Sequence, residues 1–183
     1  MSTWASMLDR LVRERGPALF GYAYVLTGDR ERAEDLLQDA LVRTFRTGRA
    51  LGSLDSAHAY VKRSITTAFI DSGRRAAARP QPAGVDVHER PDVASAPDAS
   101  GTVDDALDLQ AALLTLSPRE RACVVLRYLE DMTVAGVAQA LGLAEGTVKR
   151  YLSDGVARLR EAAPGVDFTP AETVPIHPHG GTS

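Results

Sequence analysis

Residues 133–160, TVAGVAQALGLAEGTVKRYLSDGVARLR, contain two amphipathic helical segments separated by a Gly-Leu-Ala turn. In the first segment apolar residues recur at i, i+3, i+4 and i+7, which places Val134, Val137, Ala138 and Leu141 on one face. Gly142 follows, where a left-handed backbone ends a helix without a Cβ clash. The second segment has an apolar stripe of Val148, Leu152, Val156 and Leu159. This spacing predicts a helix-turn-helix.

The opposite face of the second segment carries short or charged side chains, namely Arg150, Ser153, Asp154 and Ala157. A helix of this kind enters a DNA major groove, where Arg reads guanine and acids accept from cytosine. The alternative is a packed helical hairpin whose polar face is only solvated. The motif alone does not distinguish these two interpretations, so the rest of the sequence is needed to choose between them.

The composition fits one or two small globular domains in 183 residues. A single cysteine excludes an internal disulfide framework and cannot make a zinc site by itself. Cys123 lies in the apolar run CVVL, which favours a buried small hydrophobe over a reactive thiol. The start of the chain lacks the apolar stretch of a signal peptide, and no segment is apolar enough to span a membrane. We therefore expect a cytoplasmic protein.

Charge is unevenly distributed along the chain. Residues 1–79 hold 13 Lys and Arg against 9 Asp and Glu, whereas residues 80–117 hold 1 against 7. The remainder, 118–183, is nearly balanced, with 7 against 8. An acidic segment therefore separates two Arg-bearing helical blocks, an asymmetry that needs a functional explanation.

The N-terminal block is predicted to be wholly helical. An amphipathic series from Trp4 to Leu11 is expected to stop at Gly16-Pro17, before the apolar run ALFGYAYVL. Asp29 is predicted to cap the next helix. That helix has a clear apolar period at Ala33, Leu36, Leu37, Ala40, Leu41, Thr44 and Phe45. Its opposite face carries Glu34, Asp35, Gln38, Asp39 and Arg43.

A connector, TGRALGSLDS, leads to a fourth helix with a basic face. This helix is predicted to bury Val61, Ile65, Ala68 and Phe69. It is expected to present Lys62, Arg63, Thr66, Thr67, Arg74 and Arg75. Basic residues interspersed with threonines suit a phosphate backbone, although a solvated face explains the periodicity equally well.

The segment from Pro80 to about Ser100 is rich in Pro, Asp, Ala and Ser without helical period, which indicates a linker. After it, Ser117-Pro118-Arg119-Glu120 predicts a capping box. The helix that follows is predicted to bury Ala122, Val125, Leu126 and Leu129. Pro164 and Gly165 end the last helix and begin a tail. Its His177 and His179 are too few to predict a metal site.

Motifs of enzyme chemistry are absent from the sequence. It has no convincing strand, glycine-rich phosphate loop, nucleophile elbow or His-Glu-x-x-His pair. Asp35 and Asp39 lie one helical turn apart, but we expect no basic or metal-binding partner near them, and a solvated or partner-binding face fits them better. No catalytic residue, metal or cofactor is predicted.

Two helical blocks, an acidic linker and a terminal helix-turn-helix together resemble a bacterial extracytoplasmic-function sigma factor of the sigma-70 family, most closely its actinobacterial SigE-like branch. GYAYVLTGDRERAEDLLQDALVRTFR is similar to that family's regions 2.1 and 2.2, and AYVKRSITTAFIDSGRR to regions 2.3 and 2.4. LSPRERACVVLRYLEDMTVAGVAQALGLAEGTVKRYLSDGVARLRE is similar to region 4. The likeness extends from about residue 15 to 162, apart from the linker.

The resemblance implies an all-α protein of two small helical domains. Region 2 would occupy residues 1–79 and region 4, with the helix-turn-helix, residues 103–163. A flexible acidic linker would occupy 80–102, and a disordered tail 164–183. In the family such a linker threads the polymerase cleft, where its charge mimics nucleic acid.

The resemblance also implies a function, which is to bind RNA polymerase core and direct it to promoters without enzymatic activity. The polymerase clamp helices would bind Asp35, Gln38, Asp39 and Arg43, and region 4 would contact the flap. The connector from Thr47 to Ala57 corresponds to the loop that captures a flipped base of the minus-10 element, whose unstacking cost a pocket has to offset. An anti-sigma factor is a further expected partner.

The DNA contacts implied by the resemblance fall on two helices. The minus-10 set is Ser53, Leu54, Asp55, Lys62, Arg63, Thr66, Thr67, Arg74 and Arg75. The minus-35 set is Thr147, Lys149, Arg150, Ser153 and Asp154. The family usually has a basic residue at position 154 and a small one at position 150, so the minus-35 sequence read here is expected to be unusual. Asp154 would repel a phosphate but accept from a cytosine amino group.

Two other classes of protein compete with this interpretation. A DNA-binding regulator that does not recruit polymerase would use the same helix-turn-helix, but it needs neither a clamp-binding helix nor an acidic linker. A protein-binding adaptor or degenerate sigma factor would tolerate loss of the basic face on the fourth helix, and that face is present. The sequence therefore favours the sigma factor.

Overall fold

The computed structural model describes residues 3–46, 51–78 and 102–163. These ranges form seven α-helices and one π-helical turn and contain no strand, which confirms the all-α prediction. The α-helices are α1 (Thr3–Thr27), α2 (Arg30–Phe45), α3 (Leu54–Ala78), α4 (Thr102–Leu114), α5 (Pro118–Val124), α6 (Val134–Leu141) and α7 (Glu145–Ala162). Predictions for residues 47–50, for the linker up to residue 101 and for the tail with His177 and His179 lie outside the described residues.

Helix α1 runs without interruption through Pro17, so the predicted break at Gly16-Pro17 is wrong. The apolar stripe explains the continuity, because Leu11 and Leu19 are both fully buried on the same face. Pro17 itself is exposed, so water can hydrogen-bond the carbonyl that loses its helical partner. Burial of the stripe outweighs the local cost of the proline.

Helices α1, α2 and α3 pack against one another as a three-helix unit. Gly28, with φ +68°, ends α1, and the Asp29 carboxylate caps α2 by accepting from the Arg32 amide at 2.7 Å. The predicted cap is confirmed. Burial of Ala33, Leu36, Ala40, Thr44 and Phe45 confirms most of the predicted α2 face, while Leu37 and Leu41 are partly buried.

The predicted capping box of α5 is confirmed. Ser117 Oγ accepts from the Glu120 amide, and Glu120 Oε2 accepts from the Ser117 amide at 2.9 Å. After Val124 the helix widens into a π-helical turn at Val125–Leu129, in which the Glu130 amide donates to the Val125 carbonyl. This turn rotates Leu129 outward, leaving it 57% exposed, so its predicted burial is wrong. Ala122, Val125 and Leu126 are buried as predicted.

Helices α6 and α7 form the predicted helix-turn-helix. Gly142 ends α6 with φ +62°, and α7 packs on α5 through Gly155, where an added Cβ would lie 3.1 Å from Val124 Cγ2. Most of the α7 stripe is buried as predicted, but Leu152 is only half-buried. A small core of Cys123, Leu126, Val137, Ala138 and Val148 holds the motif together. Burial raises the pKa of Cys123 to about 12, as expected for a packing residue rather than a reactive thiol.

The two helical blocks share a larger core. Residues of α4, α5 and α7, including Leu113, Val124 and Leu159, belong to the same buried cluster as the apolar faces of α1, α2 and α3. No helix among the described residues is long and apolar enough to cross a membrane.

Candidate polymerase and DNA interface

The polar face of α2 is open to solvent. Asp35, Gln38, Asp39 and Arg43, the four residues predicted to bind core polymerase, are all exposed. Arg43 Nη2 lies 3.8 Å from Asp39 Oδ2 as a weak surface pair, so the expectation that Asp39 has no basic partner nearby is wrong. Asp35, Asp39 and Arg43 line a shallow pocket between α2 and α3, while Gln38 faces the other way.

Gln38 borders an apolar groove between the start of α1 and the end of α2. The groove has a volume of about 740 Å³ and is lined by Trp4, Leu8, Val12, Gln38, Leu41, Val42, Phe45 and Arg46. Trp4, Val12 and Val42 are exposed large apolar residues, with Val42 62% exposed. Sequence reasoning missed this groove, although the apolar Val42 on an otherwise polar face was a visible signal.

The basic face of α3 is less open than the sequence predicted. Lys62 is only partly exposed, and Thr66, at 1% exposure, is buried, so its predicted exposure is wrong. Thr66 forms a 2.7 Å hydrogen bond with the Tyr22 hydroxyl and donates to the Lys62 carbonyl. Because these two partners satisfy its hydroxyl, Thr66 can be buried beside the core. Arg63, Thr67 and Arg74 are exposed.

Three further residues of the predicted minus-10 set, Ser53, Leu54 and Asp55, lie at the start of α3. Ser53 Oγ accepts from the Ser56 amide as a local cap, and Asp55 pairs with Arg15 at 3.1 Å on the surface. Leu54, by contrast, is buried in the core, so its side chain does not face solvent. Leu54 continues the buried stripe of Ala57 and Val61 at i+3 and i+7 on α3, which explains its burial.

Arg75 lies apart from the other basic residues of α3. It lines the shallow pocket with Asp35, Asp39 and Arg43, whereas Lys62 and Arg63 line a cleft on the side of α3 that faces α6. The structure therefore divides the predicted minus-10 set between two sides of α3.

The predicted minus-35 residues lie together near the start of α7. Lys149, Arg150, Ser153 and Asp154 are exposed and Thr147 is half-buried. The guanidinium carbon of Arg150 lies 5.4 Å from the centre of the Tyr151 ring, which supports the side chain from one side. Glu120 binds Arg158 at 3.0 Å and so connects the α5 cap to α7. Four of the five predicted minus-35 residues are therefore open to solvent on one stretch of α7.

Three polar residues that sequence reasoning did not single out lie between the blocks. Burial raises the pKa of Tyr22, so its hydroxyl stays protonated at neutral pH. Burial, followed by repulsion from Arg32, lowers the pKa of Arg121 to about 10, which leaves the guanidinium charged near pH 7. Glu130 pairs with Lys62. The partners that join them across the two blocks, Thr66, Leu26 and Lys62, lie far away in sequence, so no local pattern indicated these roles.

The described residues form an all-α protein that combines a helix-turn-helix with a second helical block, in which the polar face of α2 is exposed. The Sigma-70 region 2 model matches residues 11–79 and the Sigma-70, region 4 model matches residues 106–159. The chain belongs to the sigma-70 family of RNA polymerase sigma factors, in the extracytoplasmic-function group. It is a transcription initiation factor rather than an enzyme, and it binds RNA polymerase core and promoter DNA.

Relatives from actinobacteria cover most of the chain. It is 36% identical over 153 residues to the RNA polymerase sigma-E factor of Streptomyces avermitilis, covering 84% of this chain and 83% of that protein. It is 33% identical over 157 residues to the ECF RNA polymerase sigma factor SigL of Mycobacterium tuberculosis, covering 85% and 88% respectively.

A solved structure shares the fold. The sigma factor RpoE from Bartonella quintana, in complex with the anti-sigma factor NepR, matches with a TM-score of 0.61 and 23% identity. The match covers 87% of this chain and 98% of that chain. At this identity the likeness concerns the fold alone.

Proposed function

We propose that three separate surfaces of the chain carry out promoter-specific initiation. The exposed face of α2 binds the clamp helices of the polymerase largest subunit, α3 holds the minus-10 strand, and α7 reads the minus-35 element. The proposed domains are region 2 at 1–79, a linker at 80–102, region 4 at 103–163 and a tail at 164–183. Because polymerase acts on DNA in the bacterial cytoplasm, the chain is proposed to act there.

The observation that carries the proposal is the exposed polar arc of α2 beside an apolar groove. Asp35, Gln38, Asp39 and Arg43 are exposed, and Gln38 lies on the rim of the groove formed with α1. Interfaces combine an apolar centre with a polar rim, which is the arrangement seen here. A regulator that does not recruit polymerase has no use for such a surface, and the family match covers region 2 as well as region 4.

The groove extends the proposed core-binding surface from α2 to α1. A helical element of the polymerase core is its proposed occupant, because the groove is continuous with the polar arc through Gln38. Trp4, Val12 and Val42 would supply the apolar contacts and Arg46 a charge at one end. An anti-sigma factor is a further proposed partner, since the structural neighbour RpoE is bound by one.

The test is a titration of labelled chain with purified core polymerase. Gln38→Ala with Asp39→Ala is expected to weaken core affinity about tenfold or more, with helicity unchanged, since both side chains are exposed. The matched control is Arg10→Ala with Glu14→Ala, two exposed residues of α1 that do not line the groove, and it should bind core like the original chain. Equal affinity of both double variants would remove the assigned role of α2.

A further inference from the structure

The shallow pocket between α2 and α3 has a charged rim over a buried floor. Its volume is about 200 Å³. Thr27, Leu36 and Ala68 are buried and form the floor. The charged residues of the rim are all exposed, namely Arg32, Asp35, Asp39, Arg43 and Arg75. Three guanidinium groups and two carboxylates therefore meet solvent at one place on the surface.

The charges of the rim are poorly paired with one another. Arg43 Nη2 lies 3.8 Å from Asp39 Oδ2, which is a long distance for an ion pair. Among the described residues, Arg32, Asp35 and Arg75 have no ion-pair partner. The rim therefore keeps charges of both signs that a complementary surface can bind.

The register of α3 places Arg75 on the side of the helix that faces α2. Arg75 follows Ala68 by seven residues and Ser72 by three, and all three line the pocket. Arg74 instead follows Thr67 by seven residues, and that pair borders a different cleft. Consecutive residues of a helix point about 100° apart. Two adjacent arginines of the predicted minus-10 set therefore have different surroundings.

The α2 side of the pocket belongs to the proposed core-binding surface. Asp35, Asp39 and Arg43 stand at i, i+4 and i+8 and form one stripe along α2. Arg32 precedes Asp35 by three residues and continues the stripe toward the start of the helix. Arg75 lines the same pocket from α3. The pocket therefore joins residues of two helices into a single charged surface.

We propose that Arg32 and Arg75 extend the core-binding surface from α2 onto α3, and that Arg75 binds a carboxylate of core polymerase rather than minus-10 DNA. The proposal rests on the role assigned to α2 under Proposed function. The complementary surface of core has acidic side chains opposite Arg32 and Arg75 and a basic side chain opposite Asp35. A guanidinium suits such a partner, because its fork of donors matches the two oxygens of a carboxylate.

The two aspartates of the rim disfavour a DNA backbone at this place. DNA presents a negative charge at every phosphate, so a strand bound to Arg75 would bring phosphates close to Asp35 and Asp39. A protein surface can alternate the signs of its charges and so match those of the rim. The composition of the rim therefore favours a protein partner over DNA.

The adjacent arginines provide a matched test in the full chain. Arg75→Gln and Arg74→Gln each remove one positive charge from an exposed side chain of α3, so neither is expected to alter the fold. In a titration of labelled chain with purified core polymerase, Arg75→Gln is expected to weaken binding about fivefold, because an ion pair to core is lost. Arg74→Gln is expected to change that affinity less than about twofold. Equal affinities of the two variants for core would overturn the proposal.

Promoter binding gives the opposite expectation for the same two variants. Holoenzyme is formed at saturating core, so that weaker core binding does not limit the complex, and is titrated onto a fragment carrying the promoter beside the chain's own gene. Arg75→Gln is expected to bind the fragment within about twofold of the original chain, and Arg74→Gln more weakly. A loss of about fivefold or more with Arg75→Gln would assign Arg75 to DNA and contradict the proposal. Unchanged binding with Arg74→Gln would instead contradict the role of Arg74 in holding DNA.

Salt dependence and a charge-conserving variant separate an ion pair from a structural role of Arg75. Arg75→Lys keeps the charge and is expected to bind core at least about twofold more tightly than Arg75→Gln. The difference in core affinity between the original chain and Arg75→Gln is expected to narrow as salt is raised above about 0.1 M. A difference that does not change with salt, or equal binding of the Lys and Gln variants, would refute an ion pair to core.

Arg32 is compared with an arginine outside the surface. Arg32→Gln is expected to weaken core binding about fivefold, whereas Arg13→Gln, at an exposed position of α1 that lines neither the pocket nor the groove, should change it less than about twofold. Equal affinities would remove Arg32 from the surface. If Gln38→Ala with Asp39→Ala weakens core binding while Arg32→Gln and Arg75→Gln do not, this proposal fails and the role of α2 stands. If none of these variants weakens core binding, the role of α2 fails as well.

Discussion

We propose that Arg150 and Asp154 determine which bases the exposed face of α7 reads. Both side chains are exposed, and Arg150 lies against the Tyr151 ring, which limits the directions it can take. An arginine held in this way suits a bidentate contact to guanine better than a mobile lysine does. Asp154 suits a base position with a cytosine amino group and disfavours a phosphate at the same place.

Arg150→Ala distinguishes a base contact from a phosphate contact. A bidentate base contact predicts a loss of about 1 to 3 kcal/mol at one minus-35 position, with relaxed preference there. A phosphate contact instead predicts uniform weakening and a salt slope lower by about one. We expect the base contact. Holoenzyme binding to single-base variants at several salt concentrations measures both, and an unchanged profile would show that Arg150 does not touch DNA.

The individual helices were predictable from sequence because their signals are local. The cap at Asp29, the capping box at Ser117 and the left-handed Gly142 each depend on residues within one or two turns. The π-helical turn was not predictable in this way, since a period of 3.6 residues assigned Leu129 to the core. The predicted break at Gly16-Pro17 was wrong because burial of Leu11 and Leu19 outweighed the local tendency of proline to end a helix.

Two leucines test the register of the π-helical turn. Leu126→Ala is expected to lower the free energy of unfolding by about 2–5 kcal/mol, because Leu126 lies in the core of the helix-turn-helix at 5% exposure. Leu129→Ala removes the same atoms from a side chain that is 57% exposed and should cost less than about 0.5 kcal/mol. Chemical denaturation of the full chain measures both. Similar losses for the two variants would contradict the observed register.

At the scale of the whole molecule, the two helical blocks share one buried core and are joined by polar contacts. It joins residues far apart in sequence: Arg121 and Leu26 are separated by 95 positions and Lys62 and Glu130 by 68. No periodicity or motif reports on such pairs, so the sequence predicted a basic α3 face but not the pairing of its Lys62 with Glu130. The exposed faces of α2 and α7 were predictable because a single helix determines each of them.

Promoter-dependent transcription tests the central claim that this chain is an initiation factor. Purified core polymerase is supplied with a template carrying the promoter beside the chain's own gene, with and without the chain. We predict a run-off transcript with a single defined start that appears only when the chain is present. The same transcripts in both reactions, despite measured binding of the chain to core, would contradict its role as an initiation factor.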